Sequence, residues 1–156
     1  MSSDINFDFD AKTFDNLREE LNRAIKKFPD YAEKELKKEG NEFKKAVKKE
    51  ALAATDKHSG NLTKGFTLGP IKNEGGIITE EFMAEGKKNP HWHLIENGHE
   101  IIIPFTRNGK KLKAGGKCVG FVPGRRIVSA VLKNWGGKHE QRVKNVLERL
   151  KDDIEK

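Results

Sequence analysis

The chain has 156 residues, a length that suits one domain with a modest core, since apolar and charged residues each make up 35% of it. No apolar run approaches the ~20 residues that cross a bilayer, and the acidic opening MSSDINFDFD is unlike a secretory signal, so the sequence predicts a soluble protein made inside the cell. The single cysteine, Cys118, rules out an internal disulfide, a CxxC redox pair and any zinc site built on two thiolates.

The net charge of +7 is unevenly placed. Residues 1 to 20 hold six acids and two bases, net -4, whereas residues 105 to 145 hold eleven bases against Glu140 alone, net +10. A basic stretch of this kind suits nucleic-acid phosphates or the acidic segment of a second copy of the chain, and it also suits a plain solvated face. The sequence leaves all three open.

From Phe14 to Ala54 apolar residues recur at steps of three, four or seven through Leu17, Leu21, Ala24, Phe28, Ala32, Leu36, Phe43, Val47 and Ala51, one continuous helical stripe. Lysine pairs interleaved with Glu33, Glu35, Glu39 and Glu42 fill the remaining faces and read as solvated surface. Unbroken, these 41 residues extend about 60 Å, four times the radius of gyration of ~15 Å expected for a compact chain of this size. Either Pro29 and Gly40 break the helix into packed pieces or part of it projects and is covered by a neighbour; the sequence favours a break or kink near Pro29.

After the polar stretch His58-Ser59-Gly60-Asn61 the pattern turns to short β segments. Leu62 to Leu68, Ile77 to Met83, Glu100 to Phe105 and Lys117 to Val122 are the strand candidates, separated by glycine turns and most simply antiparallel. Thr106 to Gly116, TRNGKKLKAGG, reads as a long mobile hairpin loop. Between the strands, Asn89-Pro90 and Gly98 mark the two ends of a two-turn helix over 90–97, with Asn89 as N-cap and Glu96 available to cap or pair. From Arg125 the helical period returns through Val128, Val131, Leu132, Trp135, Val143, Val146, Leu147, Leu150 and Ile154, with Gly136-Gly137 as a weak point.

Candidate chemistry is sparse. His91, His93 and His99 suggest a metal site, but no third ligand has a recognisable spacing, and a helix would turn His91 and His93 to different sides. Cys118 and Ser59 lack a base with its orienting partner, no glycine-rich phosphate cradle occurs, and Glu80-Glu81 would alternate across a strand. The expectation is a protein that is not an enzyme, with no catalytic residue, metal or cofactor.

Three blocks in fixed order carry a resemblance: Ser59-Gly60-Asn61-Leu62 after the long helix, then His91-Trp92-His93-Leu94-Ile95-Glu96-Asn97-Gly98, then Gly124-Arg125-Arg126-Ile127-Val128-Ser129-Ala130 opening the last helical region. Together they resemble the tail-completion and head-tail joining proteins, minor tail components of long-tailed bacteriophages and prophages, over roughly residues 14 to 156. Arg125-Arg126-Ile127 departs from the Pro-Phe type of pair often found there, and the lysine-rich loop is a further departure. On this resemblance His93, Leu94, Glu96, Gly98 and Ala130 are structural residues of the family motif.

The resemblance implies a virion part, synthesised in the bacterial host cytoplasm, that assembles as a homo-oligomeric ring between the tail tube and the portal or its adaptor. Its implied partners are copies of itself, portal-adaptor and tail-tube proteins and, non-specifically, passing DNA, with no membrane. Lys110, Lys111, Lys113, Lys117, Arg125 and Arg126 are the candidate contact residues. The alternative is a sequence-independent nucleic-acid binder using the 105–145 stretch, with Trp135 or Phe121 as stacking surfaces. The expected fold is α+β in a single domain, residues 1–156: a flexible acidic 1–13, a long helix in 14–57, a β-rich 58–123 forming a small, mainly antiparallel sheet, and a C-terminal helix in 124–156 packed on the sheet.

Overall fold

The apolar stripe produces one helix, α1, of 43 residues from Ala11 to Ala53. A computed structural model describes residues 11–55, 62–104, 109 and 116–155. The strands β1 (Phe66–Leu68), β2 (Lys72–Glu74), β3 (Ile77–Thr79) and β4 (Phe82–Ala84) follow, then helix α2 (Trp92–Asn97), strands β5 (Gly98–Ile103) and β6 (Lys117–Pro123), and helices α3 (Ile127–Lys133) and α4 (Gly136–Ile154). The class is α+β, with a long first helix, small antiparallel sheets, an inserted short helix and helices at the end.

The break expected at Pro29 does not occur, and α1 runs through both Pro29 and Gly40. Proline removes one N–H, the donor to the carbonyl four residues back. That carbonyl belongs to Ile25, whose residue is 67% exposed, so solvent can replace the lost donor. Helix α4 lies antiparallel on the second half of α1 and ends near Tyr31, whose Oη donates to Asp153 Oδ2 at 2.6 Å, with Lys27 Nζ also 3.1 Å from Asp153. The 16 residues before Lys27 therefore extend about 24 Å past the end of α4. Leu17, Leu21 and Ile25 on this extension are exposed, whereas Ala24 is buried.

The strands form three separate two-stranded antiparallel ribbons rather than one sheet: β1 with β4, β2 with β3, and β5 with β6. The segment Leu62 to Leu68 contributes only its last three residues as strand, because residues 62–65 form turns. Ile77 to Met83 divides into β3 and β4, and β2 was not foreseen, since Lys-Asn-Glu has no apolar alternation. The Ser59-Gly60-Asn61 block and most of the 106–116 loop lie outside the described residues.

One core joins the elements. Phe43, Val47 and Ala51 of α1, Phe66 of β1, Trp92 of α2, Ile127 and Val131 of α3, and Trp135 cluster together, with Val47 and Ala51 fully buried. The Phe43 ring meets Phe82 edge-on at 5.6 Å and Trp135 at 5.2 Å, and Phe66 meets Trp92 at 4.7 Å, spacings at which aromatic pairs contribute about 0.5–1.5 kcal/mol each beyond their buried area. The C-terminal helical region is thus two helices, α3 closing the core beside β1 and α4 lying along α1.

Candidate assembly surface

Acidic residues of α1 hold α4 in place. Glu35, only 3% exposed, sits 3.1 Å from Arg142 Nη1, 3.1 Å from Arg149 Nη1 and 2.7 Å from Lys38 Nζ. The Lys38 bond, with the Arg149 charge and the Arg142 bond, holds the Glu35 carboxyl below its ordinary value of 4.5 against the opposing effect of burial. Glu39, 7% exposed, accepts from Trp135 Nε1 at 2.9 Å and lies 3.0 Å from His139 Nδ1. Arg142 also bonds Glu42, which raises its own value further. The solvated reading of this helix face is therefore corrected at Glu35 and Glu39: a glutamate at helical spacing looks solvated until the partner helix supplies its cations.

The expected N-cap at Asn89 also needs correction. The helix starts at Trp92 after His91, without a side-chain cap. Asn89 is buried, and its Nδ2 donates to the Leu62 carbonyl, tying the turn before α2 to the turn before β1. Glu96 does cap, but it caps another helix: its Oε2 and Oε1 accept from the Ile127 and Val128 N–H groups at 2.8 and 3.0 Å, placing a carboxylate at the N-terminus of α3. The same strap is completed by Arg125 N–H to Ile95 O at 2.8 Å and Arg126 N–H to Glu96 O at 3.1 Å.

Glycines 98 and 124 permit this approach. Gly98 has φ of +84°, and a Cβ there would lie 2.5 Å from the Val122 carbonyl oxygen; one on Gly124 would lie 2.3 Å from the Glu96 carbonyl oxygen. Arg126 is the one non-glycine with positive φ, +47°, among the described residues. Of the motif residues, then, Glu96 and Gly98 have clear structural work, Leu94 is half-buried, and His93 and Ala130 are exposed.

The candidate contact residues do not form one cluster. Lys110, Lys111 and Lys113 lie outside the described residues. Lys117 begins β6, whereas Arg125 and Arg126 follow its far end, so the two groups are separated by roughly 20 Å of strand. All three side chains are exposed and make no ion pair among the described residues. Within the same basic stretch Arg142 is bound to Glu35 and Glu42, and Lys144 pairs with Glu140. Trp135 is buried and hydrogen-bonded, which removes it as a stacking surface; Phe121 stays 61% exposed.

Between these cations lies a surface that charge counting missed. In the β5–β6 ribbon Glu100 pairs with Phe121, Ile101 with Gly120 and Ile102 with Cys118, with an irregularity between Ile101 and Ile102. Paired residues share a face, so Ile102, Cys118 and Phe121 lie on one side and Ile101, Ile103 and Val122 on the other. These side chains are exposed on both sides. The run Ile101-Ile102-Ile103 was the available signal, because three consecutive apolar residues in a strand put apolar groups on both faces.

A second apolar surface borders α1 and α4, where Phe28, Ala32, Leu36, Val143, Leu147 and Ile78 line a shallow groove of about 200 Å³. No group of three or more His, Cys, Asp or Glu among the described residues is placed to hold a metal, and no helix among them is long and apolar enough to cross a membrane. No curated protein and no solved structure matches the chain. A family model, described as bacteriophage HK97-gp10, putative tail-component, matches residues 15–98, which run from the projecting half of α1 through the four short strands to the Glu96–Gly98 turn. With 84 of its 156 residues matched, the chain belongs to this HK97-gp10-like family of phage tail components.

Proposed function

We propose that the chain is the tail-completion, head-tail joining subunit of a tailed phage or prophage, a structural part of the virion that assembles as a homo-oligomeric ring between the tail tube and the portal or its adaptor. The carrying observation is the pair of uncovered apolar surfaces, the projecting half of α1 and the β5–β6 ribbon, on a member of a phage tail-component family. Contiguous exposed apolar side chains of this kind are what protein partners cover. The subunit is not an enzyme in this reading, and its partners are copies of itself and the proteins of the joint.

The exposed Lys117, Arg125 and Arg126 serve as contact residues in this reading, facing a protein of the joint or the DNA that passes it. The test is genetic and structural together. A phage lacking this gene should accumulate filled heads and complete-length tails that fail to join, and adding the purified chain to the mixed extract should restore joined particles. Joined, infectious particles formed without the chain would overturn the reading.

A further inference from the structure

We infer that residues 4–10 of one copy add as a third strand along the free edge of β6 in a second copy. The inference rests on the ring reading above and names a contact that would link its subunits. Asp4-Ile5-Asn6-Phe7-Asp8-Phe9-Asp10, directly before α1 and outside the described residues, alternates polar and apolar without a break. That is the period of a strand with one covered face.

The β5–β6 ribbon offers the edge. It has two strands, so every second residue between Lys117 and Pro123 turns its N–H and C=O away from β5, with no further strand to pair them among the described residues. β6 is exposed along its whole length except at half-buried Gly120. A ribbon of two strands is at best marginal in water, and a third strand is one way to make it stable.

The two faces of the ribbon select how the added strand lies. Ile102, Cys118 and Phe121 share a face with Glu100, whereas Lys117 and His99 share the other with Ile101, Ile103 and Val122, and that second face holds no acidic residue of the ribbon. With Ile5, Phe7 and Phe9 beside Cys118 and Phe121, the segment extends the apolar face and brings its aspartates to the side of Lys117. The reverse setting would place the aspartates on the face of Glu100 and the apolar side chains beside Lys117. Charge and apolar pattern therefore agree on one setting.

Helix α1 decides whose ribbon is paired. The base of the ribbon follows α2, whose Trp92 belongs to the same core as Phe43, and Ala11 lies about 48 Å along α1 from Phe43. Seven extended residues span at most about 25 Å, and a ribbon running back by its full length of about 20 Å would still leave the segment short. The acceptor is thus another copy. Because donor strand and acceptor edge are different parts of the chain, each copy keeps one of each free after pairing once, and the contact propagates until a ring closes.

Cys118, exposed and the only cysteine of the chain, makes the contact testable. In full-length chains carrying Ile5→Cys, Asn6→Cys, Phe7→Cys, Asp8→Cys or Phe9→Cys, mild oxidation should give a ladder of dimers, trimers and larger species on a non-reducing gel. The best of positions 5, 7 and 9 should exceed both 6 and 8 several-fold in yield, and Cys118→Ser should abolish the ladder. In the best-yielding chain, Lys117→Glu should lower the yield several-fold, and Asp4→Lys with Asp8→Lys should restore it.

Yields without alternation, no ladder at all, or indifference to Lys117→Glu would overturn the inference. So would dimers that survive Cys118→Ser, which mean that two such segments meet each other, and a cross-linked monomer, which means pairing within one copy. The head-tail role is read separately, from whether the chain without these cysteines joins heads to tails.

Discussion

Phe43, Val47 and Ala51 occupy one half of α1, and Leu17, Leu21 and Ile25 the other, at the same helical spacing and on the same continuous helix. The first set is at most 9% exposed, covered by β1, α2 and α3; the second set is between 46% and 67% exposed. Identical patterning thus has two outcomes in one element, depending on whether the rest of this chain covers it. The ribbon repeats the lesson, because β1 and β4 lie against α1 and the core, whereas β5 and β6 are exposed on both faces. The closed half holds the core, and the open half leaves its large apolar side chains exposed.

Substitutions should separate the halves by size of effect. Phe43→Ala removes a ring that meets both Phe82 and Trp135 and should cost about 3–5 kcal/mol in urea unfolding of the isolated chain. Arg142→Ala, which leaves the buried Glu35 short of a partner, should cost about 2–3 kcal/mol at pH 7. Because the folded state holds the Glu35 carboxyl low, that stabilisation is present above its ordinary value and is lost as pH falls through the folded one. The gap between Arg142→Ala and the parent protein should therefore be full at neutral pH and close below pH 4.5 in a pH series of melting curves.

Glu96→Ala, which uncaps α3, should cost about 1–2 kcal/mol by thermal melting. Glu80 has the opposite sign. Its Oε2 is buried without a hydrogen-bond partner among the described residues, and burial raises its carboxyl above 4.5 despite Lys37 and Lys44 nearby. A raised value means that stability is fullest in acid and falls as the group ionises, so Glu80→Gln should stabilise by about 0.5–1 kcal/mol at pH 7 and lose its advantage near pH 4. Smallest of all, Leu21→Glu in the open half should change monomer stability by less than about 0.5 kcal/mol while blocking assembly. A cost comparable to that of Phe43→Ala would place Leu21 in the fold rather than in a contact.

The helices and the β5–β6 hairpin were legible because their periods are strong: α1 starts within three residues of Phe14, and β6 matches Lys117 to Val122 with one residue added. The Gly98 end of α2 was equally readable, since a glycine at that position accepts the positive φ the turn needs. What was not legible depends on residues distant in sequence. Glu35 and Glu39 look like surface until Arg142, Arg149 and Trp135, a hundred residues on, are folded against them. Pro29 predicted a break that solvent at the exposed Ile25 makes unnecessary. Asn89 carried a cap signal, but α2 starts three residues later at Trp92, and the Asn89 Nδ2 donates to the Leu62 carbonyl.

Of the candidate assembly surface, charge pointed to Lys117, Arg125 and Arg126, while the apolar ribbon between them went unread because its strands were expected to belong to a larger sheet. A strand pattern reports that both faces want cover without reporting who covers them. The structure narrows the question to two surfaces, one on α1 and one on the ribbon.

Hydrogen exchange, followed by mass spectrometry on the dilute free chain and on joined particles, tests the division most directly. Completion by other proteins predicts strong new protection in 14–28 and 98–103 on joining, with residues 35–53 protected equally in both states. Equal exchange of 14–28 and 98–103 in the free chain and in the particle would contradict it.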